Sequence, residues 1–511
     1  MRRSARLLSL SFVLLPLILA LLLLSPSVHS ASTAFKPTFT NTELKRHVDL
    51  TTHVEEVSLF VKATNTGSSS ASQYIVAVPS VKEGQLSFVE ALTGGTASAT
   101  TSSAFSRLYK PDEHKNRLVT SEVQLSGVDL PASSTLTAAN LTYFAVQFPT
   151  PIQPSASTSF TVFMAFTRTL TPLPSHKLQD DNQLVMYQDS VYVLSPYPSS
   201  QQRSTFKLQS SHIESYTRKH ASIASDSIEY GPFTETLPPF SHQPLAIHYQ
   251  NNAPFITMLT MRKEIEVSQW GNVAITEWYE MKHTGATLTG PFSRFDYQRQ
   301  MGQAPASFNF LRASLPAAAD GIYYRDYIGN VSTSHVRRTK QETVMEVQPR
   351  FPMFGGWKAE FEIGYNLPAS AYLSVIDQYG ESDSVRHGNY LLDVPFGSMF
   401  PAAAIDSATV RIILPEGSSA IQWATPFSID SADDTGLHFT HLDTTGRPVL
   451  TLSKSNVVRF HNQRLSVSYA FRSVYMLREP LLVIGAIMAF FGVAMAYYRV
   501  ELGVHSETKV E

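Results

Sequence analysis

Two asparagines in this chain stand in the setting that accepts an N-linked glycan, Asn140-Leu141-Thr142 and Asn330-Val331-Ser332. Such a sequon matters only in a chain that passes through the secretory pathway, so the compartment decides whether these two count. Other reactive groupings are missing from the sequence. No cysteine is available as nucleophile or soft metal ligand, and neither an H-E-x-x-H zinc motif nor a G-x-S-x-G elbow occurs. His438 and His441 lie three apart in LHFTHLD, a spacing that on a strand sends them to opposite faces and argues against a shared metal. His53 and Glu55 would share a strand face, but a single His/Glu pair is unspecific. No Asp-x-Asp is present to chelate a divalent cation, and Asp180-Asp181 and Asp433-Asp434 read as solvated turns. The expectation is a chain with no catalytic residue, no cofactor and no metal site of its own.

The compartment is legible at the two ends. Arg2, Arg3 and Arg6 precede an apolar run from Leu7 to Leu24, and Val28-His29-Ser30 follow with small residues at the usual places before a cut. Residues 1–30 therefore read as a signal peptide. A second apolar run, Leu481 to Tyr498, is free of charge and bracketed by Arg478, Glu479 and Arg499. It spans roughly 27 Å as a helix, the hydrocarbon thickness of an endoplasmic reticulum bilayer. Residues 479–499 are thus expected to cross the membrane once, as a type I protein, with the bulk of the chain lumenal and a short cytosolic tail at 500–511. Within the helix Gly485, Ala489, Gly492 and Ala496 fall at i, i+4, i+7 and i+11 and line one stripe. In lipid a stripe of small residues lets another helix backbone approach, so these four are expected to form a helix-packing interface.

Between the two ends lies material for a folded ectodomain. Hydrophobic residues make up 43% and charged residues 16%, enough for large cores, and the net charge of -2 gives no electrostatic ground for nucleic-acid binding. A surface receptor of this length is usually stapled by disulfides, so the absence of cysteine favours a protein kept in a protected lumen.

The elements that must position the sequons read as β. From Arg464 to Arg472, Leu465, Val467, Tyr469 and Phe471 alternate with Ser466, Ser468 and Ala470. Similar runs recur: VSLFVKA from Val57, SQYIVAV from Ser72, SFTVFMAF from Ser159, QLVMYQ and VYVLS between Gln183 and Ser195, and VRIILP from Val410. Thirty prolines and many Ser/Thr/Gly clusters separate them, as turns would. GPFSRFDYQRQMGQAPASFNFLRASLP from Gly290 is less strand-like and has room for a helix or two.

LKRHVDLTTHVEEVSLFVKATNTG from Leu44 and MRKEIEVSQWGNVAITEWYEMKHTG from Met261 share one plan, with Val48 and Leu50 matching Ile265 and Val267, and Thr66-Gly67 matching Thr284-Gly285 after a one-residue shift. The fold class is accordingly mainly β: two tandem lumenal β-sandwich-like domains, 31–250 and 251–478, followed by a single C-terminal transmembrane helix. The boundary is expected in LPPFSHQPLAIHYQNNAP, where Pro238, Pro239, Pro244 and Pro254 mark an irregular crossing. Tyr323, Tyr324 and Tyr327 are expected mainly in a core, and Gly355-Gly356 beside Trp357 in a tight turn under aromatic rings.

Three strings are distinctive: GPFSRFDYQRQ from Gly290, YYRDYIGNVSTSH from Tyr323 and PRFPMFGGWKAEFEIGYNLP from Pro349. With TNTELKRHVDL near the start of the mature chain, they make the sequence resemble the ribophorin I family from about Phe39 to the membrane helix. That resemblance implies a non-catalytic subunit of the oligosaccharyltransferase complex of the endoplasmic reticulum membrane. The complex moves a preassembled glycan from dolichol diphosphate to Asn of Asn-x-Ser/Thr in nascent chains. The chemistry and its divalent metal reside in a multispanning partner. This chain would serve as scaffold and as a surface for acceptor polypeptides. The short tail after Arg499 resembles the fungal form rather than animal members, which carry a long cytosolic domain there. Two readings from other classes stand beside it. One is a type I adhesion or receptor ectodomain, which would more often carry disulfides and a signalling tail; the other is a lumenal hydrolase, for which no nucleophile and base are visible.

Overall fold

The computed structural model describes residues 35–93, 117–123, 125, 141–299, 304–332, 335–376 and 388–499. The expected signal peptide, Asn140 and the tail 500–511 lie outside the described residues. Strands dominate, as the alternation predicts, and one long helix closes the described chain.

The first half supplies β1 (Phe39–Leu50), β2 (Glu55–Asn65), β3 (Ala71–Pro79), β4 (Leu86–Thr93), β5 (Arg117–Val123), β6 (Leu141–Ile152), β7 (Ser157–Phe166), β8 (Thr171–Pro172), β9 (His176–Lys177), β10 (Leu184–Ser190), β11 (Gln202–Leu208), β12 (Ile213–Tyr216), β13 (Ala221–Ala224), β14 (Ser227–Phe233) and β15 (Pro244–Gln250). The second supplies β16 (Ile256–Ser268), β17 (Asn272–His283), β18 (Thr287–Leu288), β19 (Leu311–Pro316), β20 (Asp320–Asp326), β21 (His335–Arg338), β22 (Glu342–Val347), β23 (Lys358–Pro368), β24 (Leu373–Ile376), β25 (Gly388–Pro395), β26 (Ala404–Ile413), β27 (Ser419–Ala424), β28 (Ser431–His438), β29 (Arg447–Val457) and β30 (Arg464–Phe471).

The two halves are wired alike. The order β13-β14-β11-β1-β2-β7-β4 in the first reappears as β28-β29-β26-β16-β17-β23-β20 in the second. In both, the strand that opens the half lies parallel to one neighbour (β1 with β11, β16 with β26) and antiparallel to the next. The second sheet, β12-β15-β10-β8, corresponds to β27-β30-β25-β24, and β3-β6-β5 corresponds to β19-β22-β21. Counterparts follow one another in the same chain order throughout. Among the described residues only β9 and β18 have no counterpart, and they pair in parallel with each other across the two halves. The hairpin resemblance in the sequence is thus one corner of a matched topology.

Each half packs its sheets around its own apolar core. One core runs from Phe39 to Phe255, the other from Ile256 to Phe471. A smaller apolar cluster joins them: Val54, Phe88, Leu92, Phe163 and Ala165 from the first half meet Ala404, Val458 and Phe460 from the second. The crossing between halves is shorter than the prolines suggest. Leu245, Ile247 and Tyr249 alternate into the core, so Pro244–Gln250 forms β15. VYVLS, in turn, is irregular beyond Ser190, because the Arg46 guanidinium takes the carbonyls of Ser190 (2.5 Å) and Val191 (3.2 Å). The stretch from Gly290 does hold one short helix, Arg294–Arg299.

Candidate glycan-acceptor and membrane-packing sites

Asn330 sits just beyond edge strand β20, on a turn that the local sequence builds. Asp326 and Gly329 exchange backbone hydrogen bonds of 3.1 Å, and the Asp326 carboxylate accepts from the N–H groups of Ile328 (2.9 Å) and Gly329 (3.0 Å). This is the self-bonded turn that Asp favours. Gly329 supplies a φ of 142°. Arg350 clamps the same carboxylate through two nitrogens and holds it below the usual carboxylate range. The chain then turns back: Val331 N–H donates to the Tyr324 carbonyl (3.0 Å), and Arg325 Nε donates to the Asn330 amide oxygen (3.2 Å). Asn330 and Ser332 are exposed, and Arg325 engages the amide oxygen, not the nitrogen a glycan would join.

The neighbouring tyrosines divide. Tyr324 is buried against Phe361, and burial pushes its hydroxyl up to about 12. Tyr323 lies half-exposed across Gly364, where a Cβ would come within 2.2 Å of its ring, so Gly364 is required for that close approach. Tyr327 is 83% exposed and is not core. It lines a shallow groove of about 570 Å³ with Trp278, Arg262, Arg325 and Glu362. Trp278 Nε1 donates to Glu362 (2.6 Å), while Arg262 covers the indole face at 5.0 Å. The aromatic corner matches expectation more closely. Gly355 has no room for a Cβ, which would lie 1.8 Å from the Ala286 carbonyl oxygen, and fully buried Phe354 packs with Phe292, Tyr297 and Trp357.

Each half buries a charged network, and both networks are consumed by structure. In the first, Lys82 Nζ reaches Glu55 at 2.9 Å and Asp189 at 3.4 Å, Arg46 reaches Asp189 at 3.3 Å, and the single proton of Tyr187 OH lies between Glu55 (2.6 Å) and Asp189 (2.8 Å). Burial opposes the Lys82 charge, but Asp189 and Glu55 outweigh it and raise its pKa. In the second, Lys263 meets Glu277 at 3.1 Å and caps the carbonyls of Pro395 (2.9 Å) and Gly397 (3.0 Å), with Tyr279 and Tyr365 on the same carboxylate. Arg46 faces Leu59 across β1–β2 as Lys263 faces Glu277 across β16–β17, so the cation is common to both and the acid is not. None of these groups is a free nucleophile or base. Beside the first network lies a cavity of about 370 Å³, walled by Val57, Leu59, Val78, Met164 and Phe166.

Histidines that the sequence singles out do not converge. Glu55 turns to Lys82, while buried His53 packs on Phe255 and titrates near 4, depressed by burial and then by His283. His438 ends β28, and His441 lies in the turn beyond it. Among the described residues no group of three His, Asp or Glu side chains could hold a metal ion.

The C-terminal helix, Arg478–Arg499, has 22 residues and so runs about 33 Å. With the turn Ser473–Leu477 before it, it is the one helix among the described residues long and apolar enough to cross a membrane. Gly485, Ala489, Gly492 and Ala496 are exposed, and a Cβ at either glycine would meet nothing within 4 Å. The start of this helix is tied to the second half. Arg447 joins Glu479 (3.0 Å), Glu266 (2.6 Å) and Asp443 (3.2 Å), and Arg478 reaches Thr445 (3.4 Å) and Glu416 (3.9 Å). Burial pushes Glu416 up, but hydrogen bonds from Thr445 and Thr444 prevail and hold it near 2.

Comparison with known proteins covers the region just described. The chain is 35% identical over 463 residues to Dolichyl-diphosphooligosaccharide--protein glycosyltransferase subunit 1B of Arabidopsis thaliana, spanning 90% of this chain and 92% of that one. To subunit 1B of Oryza sativa subsp. japonica it is 34% identical over 463 residues, spanning 90% and 91%. To subunit 1 of Caenorhabditis elegans it is 34% identical over 466 residues, spanning 90% and 72%. Among solved structures it is similar to an M1 zinc metallopeptidase from Deinococcus radiodurans over 42% of each chain, with 14% identity and a TM-score of 0.22, too slight a likeness to bear on function. The match to the family described as Ribophorin I runs over residues 39–498, from the first residue of β1 to the last turn of the C-terminal helix, and the chain belongs to that family.

Proposed function

We propose that this chain is subunit 1 of an oligosaccharyltransferase complex in the endoplasmic reticulum membrane, and that it contributes structure and substrate handling rather than chemistry. The observation that carries the reading is the similarity to subunit 1 proteins across both β halves and the terminal helix. The buried charges support it: each is tied to a partner that holds the fold together, which suits a subunit whose catalytic work lies in a multispanning partner. The helix crosses the bilayer once, the β domains 31–250 and 251–478 are lumenal, and Asn140 and Asn330 carry glycans. Gly485, Ala489, Gly492 and Ala496 face a helix of another subunit. The β domains form a scaffold along which nascent polypeptides approach the catalytic subunit.

Affinity purification of the full chain from membranes in mild detergent tests the assignment. Recovery of other oligosaccharyltransferase subunits at equal stoichiometry is expected. A chain recovered alone from the plasma membrane, as an adhesion or receptor ectodomain would be, would sink it.

A further inference from the structure

The contacts that anchor the C-terminal helix also fix the height of the second β domain above the bilayer. Glu479 precedes Leu481, where the charge-free run begins, by two residues, or about 3 Å along the axis. The polar zone of one leaflet is about 5–8 Å thick. Side chains that touch Glu479 or Arg478 are therefore held at or just above that zone once the helix spans. Arg447 touches Glu479, and Thr445 and Glu416 touch Arg478. Phe439 packs over Gly446, next to Arg447, with its ring 2.7 Å from where a Cβ would be.

Several strands end on this side. β16 runs past Glu266, a partner of Arg447, into the tip at Trp270, and Gln269 there donates to Tyr469 (2.8 Å), two residues before β30 ends. β28 closes at Leu437–His438 opposite Pro448–Arg447. Among the described residues, large apolar side chains stand outward at this end: Trp270 is 65% exposed, Leu437 57%, Phe439 60%, Leu442 40%, Val474 70% and Leu477 49%. The acids there, Glu266, Asp443, Glu479 and Glu416, are tied to Arg447 and Arg478. Large exposed apolar side chains grouped on one end call for a partner, and amphipathic aromatic rings such as Trp suit the headgroup level.

We propose that this end of the second domain is seated in the interfacial layer of the bilayer, on the side from which the helix enters, with Trp270, Phe439 and Leu442 inserted among lipid headgroups. The partner is lipid, and the contact fixes the tilt of the β domains over the membrane instead of leaving it to a single helix. The inference rests on the reading that the C-terminal helix spans.

The absence of native cysteine makes the test direct. Trp270→Cys, Phe439→Cys and, as reference in the first domain, Ser222→Cys are each labelled with an environment-sensitive fluorophore in the full chain. Each is then reconstituted into vesicles of phosphatidylcholine and phosphatidylserine without other subunits. Labels at 270 and 439 should emit further to the blue than at 222, be quenched by brominated lipid, and be several-fold less open to aqueous iodide. If both are as open to iodide as the label at 222 while the chain resists alkaline carbonate extraction, the helix spans and the seating is wrong. Shielding from iodide without quenching by brominated lipid would assign the surface to a second copy of this chain and equally overturn it. Release by carbonate would remove the spanning reading itself, and the seating with it.

Discussion

A buried histidine that accepts a backbone hydrogen bond cannot take up a proton without giving that bond up. His461 Nδ1, when unprotonated, accepts from the Val458 N–H (3.2 Å) and lies 3.3 Å from the Val458 carbonyl, and its ring is wedged against Phe88 and Phe427. Burial, with Lys454 next, depresses its pKa to about 3. The unfolded chain binds this proton near the ordinary value of about 6.5, the folded chain only near 3, so the wild type loses stability as pH falls between them. His461→Asn keeps an acceptor near the same place and removes the titration. Its stability relative to wild type, measured by denaturant melts, should rise by about 1.4 kcal/mol per pH unit on acidification from about 6 to 4. A pH-independent difference would mean that His461 titrates normally. At the other exposed extreme, Asn330 should carry a glycan. Endoglycosidase should raise the mobility of the wild type and of Asn140→Gln, and Asn330→Gln should lose one such step; identical band patterns for Asn330→Gln and wild type would refute it.

At the scale of elements, what the sequence disclosed follows from what period-two alternation can report. β2, β7 and β30 were legible because one face of each is apolar over many residues. β15 was hidden by the prolines around it, one of which, Pro244, opens the strand opposite Ser190, and the VYVLS run misleads because a cation on β1 takes the carbonyls of Ser190 and Val191 at its start. The Glu55–Lys82–Asp189–Arg46 network could not be seen, since its members are scattered from position 46 to 189 and meet only when two sheets close. Of the candidate sites, the Asn330 sequon and the helix stripe were readable as local patterns, whereas Arg325, Arg350 and Tyr324, which hold the acceptor turn, were not. The stripe gives an element-level prediction. Gly485→Leu with Gly492→Leu adds bulk where the chain itself offers no obstacle, so insertion and β-domain protease resistance should be unchanged. Recovery of the complex in mild detergent should fall, because close approach of helix backbones in lipid depends on small residues. Undiminished recovery would leave assembly to the β domains alone.

At the scale of the molecule, the matched halves are joined too firmly to act as beads on a string. Phe88 and Phe460 meet at 5.4 Å, Arg459 pairs with Glu56 at 2.6 Å, and Asn456 accepts from Ser87 and Thr167, both at 2.6 Å. The pairing of β9 with β18 and the hydrogen bond from the Ala286 N–H to Gln183 (2.8 Å) add a second joint. Calorimetry should therefore show one cooperative transition for both halves. Phe460→Ala, which empties the centre of the joining cluster, should cost about 3–5 kcal/mol and separate the transition into two. Two transitions in the wild type would contradict this account.

The strand order has one more consequence, at the rim of the second sheet. In the first half the strand β4 hands its outer side on to β5, whereas its counterpart β20 is the last strand of its sheet. An open strand edge is a template on which other chains can add, a hazard for any protein held at high density in a membrane. Here the chain folds residues 330 and 331 back along the end of β20, through the bridge from Arg325 to Asn330 and the bond from Val331 to Tyr324. Asn330 therefore sits on the lip of an edge that no strand among the described residues covers. A hydrated sugar chain rooted there would act as a steric fender against edge-to-edge aggregation, whatever else the glycan does.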